Sequence, residues 1–433
     1  MAPNRRPVIG AAALAAAAYA TAPAFVQNSL APSSAVSTSV VGAQQQRLPQ
    51  AVRATQPQGL PVAAAAGAVL AAGALAGRKA GKQARRSANK VAVQAEGVDC
   101  VGIVGCSGAV GEEMLKCLET RNFPTKNVKL FAKRAAGNVV KSKFGDITIE
   151  PFTLEAAQEC EIILMAVSGD FSLEWGKKIG GGDKKTVVID NSSAWRMTDG
   201  VPLVVPEING DKEPSAALIA NPNCTTAIGA MALWPLHQKY KLKKVIMSTY
   251  QAASGAGAEG MKELEDGVRA FAKDGKVPAP EFFKYQLPFN VIPQIDAFQA
   301  NGYTKEEMKV SWELEKIFGL SSDVKVSCTA VRVPTLRAHS ESIVIETEEK
   351  IDPDEARELL RTAKGVKVVD DPANCLYPLP LNATGQYDVE VGRIRQSIIF
   401  GENGLEFFVS GDQLLRGAAL NAVIIAEQAV AAR

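Results

Sequence analysis

Short apolar runs rich in β-branched residues recur from Val98 onward, and stretches with helical spacing separate them. The first run, residues 98–104, leads through a glycine turn at 105–111 into an amphipathic stretch that reaches about Arg121. Further strand-like runs follow at 128–132, 162–167, 186–189, 203–205 and 218–220, with helical or loop stretches between them. Alternation at this spacing predicts an α/β chain with a doubly wound sheet. An apolar helix is expected from the 221–226 segment to about Lys239, and a final amphipathic helix from Gln413 to about Ala432. Leu414, Leu415, Ala418, Ala422, Ile425 and Ala429 recur there at helical spacing.

The chain before this pattern is of another kind. Its first 95 residues hold ten Lys or Arg and no Asp or Glu, which leaves 38 basic against 46 acidic residues in the remainder. An acidic body of this kind does not suggest nucleic-acid binding. Arg5 and Arg6 precede an Ala-rich apolar run at 8–18 and small residues at 20–24, the layout of a signal peptide. Phe25 then opens a stretch rich in Ser, Thr, Gln and Ala that reads as a transit peptide. A second apolar segment, 60–77, is just long enough to span a bilayer, weakly because so much of it is Ala, and Arg78, Lys79, Lys82, Arg85 and Arg86 follow it. Residues 1–96 are therefore expected to be a cleaved leader, similar to those that direct proteins into the stroma of complex plastids; an integral anchor is the alternative, and no membrane association is expected of the mature protein.

Strand, glycine turn and helix occur at 98–121 in the order a phosphate-binding βα unit needs. Gly105, Gly108 and Gly111 allow a tight turn and close backbone approach, and a helix N-terminus offers unpaired N–H groups to a pyrophosphate. The spacing is GxxGxxG rather than GxGxxG, so the context carries the reading. After the 128–132 run, where an NAD site would place an acid for the ribose, stand Lys133 and Arg134, with no acid until Asp146. Cations there favour a 2′-phosphate, and NADP is the expected cofactor.

The seven cysteines show neither a CxxC pair nor zinc-finger spacing, so a reducing compartment is expected and most should be small buried hydrophobes. With two histidines, a His-rich metal site is excluded, and no metal is expected. Cys224 differs, since Asn221-Pro222-Asn223-Cys224-Thr225-Thr226 puts it where a strand enters a helix, and the helix dipole should stabilise its thiolate. His237 lies roughly three to four turns along that helix and reads as a packing residue. His339 is the remaining proton partner, although spacing alone leaves open whether it meets Cys224.

With these residues in view the chain resembles the aspartate-β-semialdehyde dehydrogenase family from about Asp99 to its end. The resemblance rests on the glycine loop, on 190–196 (Asp-Asn-Ser-Ser-Ala-Trp-Arg), 204–207, the Cys224 motif, 251–257 (Gln-Ala-Ala-Ser-Gly-Ala-Gly) and 331–341. It implies an N-terminal Rossmann-type dinucleotide-binding domain and a mixed α+β catalytic and dimerisation domain. The expected bounds are 97–223 and 224–404, with a C-terminal helical segment, 405–433, packing back on the first domain. It also implies Cys224 as nucleophile beside Asn223, His339 as acid/base, and Gln251 positioning the acyl group. Arg332 and Glu307 would hold the substrate's α-carboxylate and α-amine, and Arg196 and Lys309 its phosphate. Cofactor contacts would come from Ser107, Gly108, Ala109, Val110, Arg134, Ser254, Gly255 and Gln413, beside Gly105 and Gly111 of the turn. The implied reaction converts 4-phospho-L-aspartate through a Cys thioester, with NADPH, to L-aspartate 4-semialdehyde and phosphate, on the route to lysine, threonine, methionine and isoleucine. A homodimer or homotetramer is implied. The nearest rival enzyme, N-acetyl-γ-glutamyl-phosphate reductase, usually has Gly before its cysteine rather than Asn. A catalytically silent NADP-binding module would have no use for Cys224, His339 and the charged substrate residues together.

Overall fold

The computed structural model describes residues 97–433, so the expected leader and its targeting segments lie outside the described residues. In chain order the elements are β1 (Val98–Val104), α1 (Ala109–Thr120), β2 (Thr125–Phe131), β3 (Val139–Ser142), β4 (Gly145–Glu150), α2 (Leu154–Gln158), β5 (Ile162–Met165), α3 (Gly169–Ile179), β6 (Val187–Asp190), α4 (Pro206–Asn209) and β7 (Leu218–Ala220). They continue with α5 (Cys224–Tyr240), β8 (Leu242–Gln251), α6 (Gly257–Asp274), α7 (Lys305–Phe318), β9 (Lys325–Arg332), β10 (His339–Thr347), α8 (Pro353–Thr362), β11 (Val366–Val368), α9 (Pro380–Ala383), β12 (Val389–Ser397), β13 (Gly401–Gly411) and α10 (Leu420–Ala431).

Seven strands form one sheet in the order β3-β4-β2-β1-β5-β6-β7, parallel except for the β3–β4 hairpin. Chain order reverses between β1 and β5, and the glycine turn leaves the carboxyl end of β1 at that reversal, where open α/β sheets bind their ligands. Gly105 has φ of +86°, and a Cβ there would sit 2.2 Å from the Ala166 carbonyl oxygen, so only glycine fits. The second sheet is mixed, in the order β11-β12-β13-β10-β8-β9. The expected class, a Rossmann-type domain followed by a mixed-sheet domain, is the one observed.

Two expectations change, and one hairpin was not expected. The strand expected at 203–205 is a single bridge from Leu203 to Ala220, since Pro202 and Pro206 on either side cannot donate to a ladder. The boundary expected at 404 falls inside β13, which pairs with β10 as far as His339 opposite Gly411. Leu405, Phe407 and Val409 alternate inward along it without a break, so the second sheet runs to Gly411. The β3–β4 hairpin had no strong sequence signal because it is short and mostly exposed.

Helix α5 is buried nearly all round and packs on the inner face of the second sheet, with Ile228, Met231 and Leu233 in one cluster with Met247, Ile343 and Phe407. The terminal helix α10 buries Leu420, Val423 and Ile425 against Val101, Ile103 and Ile189 of the first sheet. Glu341 on β10 is fully buried beneath α5, and neither carboxylate oxygen has a partner. A Cβ at Gly229 would lie 2.7 Å from its Oε2, so the helix glycine makes room for the carboxyl. Burial drives the Glu341 carboxyl well above its ordinary 4.5.

A folded-state pKa above the unfolded one means that folding takes up a proton, so this group favours folding less and less as pH rises above 4.5. Glu341→Gln, which cannot titrate, should gain stability relative to the parent as pH rises from 5 to 8, at up to about 1.4 kcal/mol per pH unit. Urea unfolding across that range is the measurement, and parallel curves for the two proteins would contradict a buried neutral acid.

Candidate active site

Cys224 is the first residue of α5, with Asn223 as the N-cap. The Asn223 side-chain oxygen accepts from the N–H groups of Thr225 (3.0 Å) and Thr226 (3.3 Å), which fixes the first turn and the direction in which Cys224 leaves it. Gly417 closes the other side: a Cβ there would lie 2.6 Å from Cys224 Cβ, so the segment before α10 can rest on the cysteine only as glycine.

The second sheet contributes one strand end after another. Gln251 ends β8 and Arg332 ends β9 directly opposite it, while His339 opens the antiparallel β10 beside the same edge. His339 is fully buried, and its Nδ1 accepts from the Ala252 N–H at 3.0 Å. That bond leaves the proton of the neutral ring on Nε2, which has no protein partner and faces Gly255. Gly255 is close to both Arg332 Nη1 and His339 Nε2, at 2.9 and 3.1 Å from where its Cβ would be. Cys224 and His339 share Arg332 and Glu306 as charged neighbours, so thiol and imidazole belong to one cleft.

Glu306 is the acid at the centre. Its Oε1 accepts from Asn223 Nδ2 (3.0 Å) and Gln251 Nε2 (3.2 Å), and its Oε2 from Lys309 Nζ (3.0 Å). Burial works against the carboxylate, yet Lys309, Asn223 and Gln251 hold it below the usual range. Glu307, which the resemblance implied for this role, is turned elsewhere. Its Oε2 accepts from Thr304 N in a capping box and its Oε1 from Ala330 N on β9, so α7 presents Glu306 in its place. The sequence carried this signal: Thr304-x-x-Glu307 is a capping box, and Glu306 and Lys309 stand three apart on one helical face.

Lys309 Nζ also reaches Asp296 at 2.9 Å. Arg196 is buried, with Nη1 on Glu313 (3.0 Å), Nε on the Asn221 carbonyl and Nη2 on the Asn191 carbonyl (both 2.8 Å). Glu313 in turn accepts from the N-cap's own N–H at 2.6 Å, tying the phosphate-side arginine to the cysteine turn. Neither Glu306 nor Glu313 was singled out from the sequence.

At the other sheet, Gly108 caps α1 without a side-chain bond, which leaves the first N–H groups of Ala109, Val110 and Gly111 pointing out of the turn beside exposed Ser107. Lys133 and Arg134 are exposed just beyond β2. Ser254 and Gln413 are buried and bonded to each other, and Gln413 Oε1 also accepts from Ala338 N at 2.8 Å. That contact holds Ala338 at φ +68°, a left-handed conformation, immediately before His339. His237 packs against both Trp234 and Phe318, which also touch each other, and is a packing residue. Among the described residues no cluster of His, Cys, Asp or Glu could hold a metal ion, and no helix is long and apolar enough to cross a membrane.

The electrostatics correct one expectation. Burial pushes the Cys224 thiol up to about 12, with Glu306 adding to the rise and Arg196, Arg332 and Lys309 opposing it. Burial and then Arg332 drive His339 down to about 3. The site therefore pairs a neutral thiol with a neutral imidazole, where a dipole-stabilised thiolate was expected.

A dinucleotide-type βα turn on the first sheet, with a half-buried thiol, a buried imidazole and a buried carboxylate set among cations beside the second, defines a two-domain dehydrogenase of the semialdehyde class. Residues 100–215 match the semialdehyde dehydrogenase NAD-binding domain, and residues 233–416 match the semialdehyde dehydrogenase dimerisation domain. Aspartate-semialdehyde dehydrogenase of Aquifex aeolicus is 45% identical over 332 residues, 76% of this chain and 96% of that protein. Its namesake from Synechocystis is 43% identical over 329 residues, again 76% and 96%. The crystal structure of aspartate semialdehyde dehydrogenase II from Vibrio cholerae complexed with ASA superposes with a TM-score of 0.72 at 34% identity, covering 76% of this chain and 97% of that one. The chain belongs to the aspartate-semialdehyde dehydrogenase family, and it is an oxidoreductase of amino-acid biosynthesis with an NAD(P)-binding domain.

Alkylation of Cys224 by iodoacetamide in the ligand-free protein should keep accelerating above pH 9, because the thiol titrates near 12. A rate that levels off between pH 6 and 7, followed by peptide mapping to Cys224, would show a thiolate already formed.

Proposed function

We propose that the chain reduces 4-phospho-L-aspartate to L-aspartate 4-semialdehyde, releasing phosphate, through a thioester on Cys224. The observation that carries the reading is the single cleft in which Cys224, His339, Arg332 and the Glu306–Lys309 pair converge. The charges suit an amino-acid head and a phosphate tail: Arg332 for the α-carboxylate, Glu306 for the α-amine, and Lys309 and Arg196 for the phosphate dianion. Sulfur of Cys224 bonds to the acyl carbon as the carbon–oxygen bond to phosphate breaks. Gln251 and Asn223, both anchored on Glu306, hold the acyl group beside it. Dividing one hard displacement into two easier steps is what a covalent intermediate contributes.

NADPH, when bound, supplies the hydride that reduces the thioester. The turn fits a dinucleotide, since Gly105 admits no Cβ and the start of α1 is uncapped by any side chain. Lys133 and Arg134 favour the 2′-phosphate. His339 presents Nε2 to the cleft for the oxygen that gains charge as the thioester becomes a thiohemiacetal, and handles the proton as the carbon–sulfur bond breaks. A homodimer or homotetramer would form through the outer face of the second sheet, where Ile246 and Tyr250 are exposed. The plastid stroma is the proposed location.

Purified protein should reduce NADP with aspartate semialdehyde only when phosphate is present. Cys224→Ser should retain at most a trace of that turnover, and near-normal activity would reject the thioester. Glu306→Gln should lower kcat/KM by roughly 100-fold, about 2.7 kcal/mol, whereas Glu307→Gln should stay within about threefold and act on stability through the cap. The reverse ranking would return the substrate role to Glu307. Arg134→Ala should raise the KM for NADPH far more than that for NADH; equal effects would remove the 2′-phosphate argument.

A further inference from the structure

Cys100 and Cys160 lie 60 positions apart, yet their sulfurs meet at 2.7 Å. Neither belongs to the cleft, because Cys100 is near the start of β1, the strand end opposite the glycine turn. The approach is built by backbone on both sides. Glu161 N donates to the Cys100 carbonyl (3.1 Å), Cys100 N donates to Glu161 Oε2 (3.0 Å), and the Thr186 hydroxyl holds the Cys160 carbonyl (2.8 Å). Gly102, two residues on along the same face of β1, keeps the space beside the pair free of a side chain: a Cβ there would press on Ile163 first and lie 3.3 Å from Cys160 Sγ. The distance is only about 0.7 Å longer than an S–S bond, so small side-chain rotations suffice to close it.

We infer that Cys100 and Cys160 are an oxidative modification site, a dithiol that a small hydroperoxide converts to an intramolecular disulfide stapling β1 to the entrance of β5. In the first step the Cys100 sulfur attacks the peroxide O–O bond, takes one oxygen to become a sulfenic acid, and releases water or alcohol. The Cys160 sulfur then attacks the Cys100 sulfur; the S–O bond breaks, the S–S bond forms, and the Cys160 proton leaves with hydroxide as water. Two thiols are oxidised by two electrons and one hydroperoxide is reduced. Cys100 is the first to react on two grounds: it is 7% exposed where Cys160 is sealed, and the Cys160 thiol, bonded to its sulfur, lowers its pKa while that of Cys160 is raised. The burial that shields Cys160 also restricts the oxidant to small molecules. The other buried thiols, Cys106, Cys117 and Cys328, have no sulfur partner among the described residues and no such route.

The test uses the full chain, reduced, treated with a small excess of hydrogen peroxide, alkylated and mapped by peptide mass spectrometry. A Cys100–Cys160 linked peptide is expected, lighter by two hydrogens than its parts and reversed by dithiothreitol. The linked protein should melt at least about 3 °C higher than the reduced one, as closure of a long loop constrains the unfolded chain. Cys160→Ser should lose the link and let Cys100 go on to the sulfinic acid. Peptides in which Cys100 and Cys160 stay reduced while exposed Cys375 oxidises, or carry added oxygen without a link in the parent protein, overturn the proposal. Oxidation of Cys224 is read on its own peptide, so loss of activity and formation of the staple are separated.

Discussion

The carboxylate of Glu306 is a buried anion with three donors from three separate parts of the chain: the N-cap of α5, the end of β8, and the next turn of its own helix. A charge removed from water is tolerated only where its lone pairs are filled, and its donors are equally dependent on it. Asn223 cannot turn its amide toward Glu306 and its oxygen toward the α5 N–H groups unless Cys224 begins the helix where it does. Gln251 cannot reach the same oxygen unless β8 ends at this depth. The location of the sulfur therefore follows from how this one anion is satisfied.

Two physical effects compete at Cys224, and their sizes decide between them. A helix N-terminus is worth at most about 2 kcal/mol to a nearby anion, or roughly 1.5 pKa units. Burial, with the negative Glu306 nearby, takes the thiol from its ordinary 9.0 to about 12 against three cations, a rise that the helix can offset only in part. The same low-polarity surroundings keep His339 neutral. Net charge is balanced by pairing, Arg196 with Glu313 and Lys309 with Glu306 and Asp296, whereas Arg332, which acts on both reacting groups, donates to a carbonyl, that of Ala252 at 2.6 Å. An anionic substrate entering such a site meets charge held in place rather than charge that must be gathered.

The two sheets are coupled through the turn that carries His339. Arg337 donates to Asp412 (2.7 Å) and to Glu113 on α1 (3.0 Å), so the helix that follows the dinucleotide turn is bonded to the residue two before the imidazole. Asp412 is fully buried and also accepts from the N–H groups of Gly385 and Leu414. Together with the Ala338–Gln413 bond, this holds the left-handed backbone that aims His339. The Cys224 side depends on Gly417 in the same C-terminal segment, so residues 411–417 supply support to both reacting groups.

The sequence by itself determined the elements whose information is local. The βα turn follows from glycines at fixed spacing, the parallel strands from short β-branched runs, and the start of α5 from Asn-Pro-Asn before an apolar stretch, because each is decided by backbone freedom, capping or burial within a few residues. It also carried the capping box that assigns Glu307 to structure, a local signal that the family resemblance overrode. Tertiary structure alone decided what depends on packing between distant segments: that 203–205 is a bridge and not a strand, that β13 runs to Gly411, and that Cys100 meets Cys160. It alone brought Asn223 and Gln251 to Glu306 and raised the thiol of half-buried Cys224 well above its ordinary range. Desolvation and through-space pairing depend on which surfaces come together, and residues 55 to 83 positions apart leave no mark of that on their immediate neighbours.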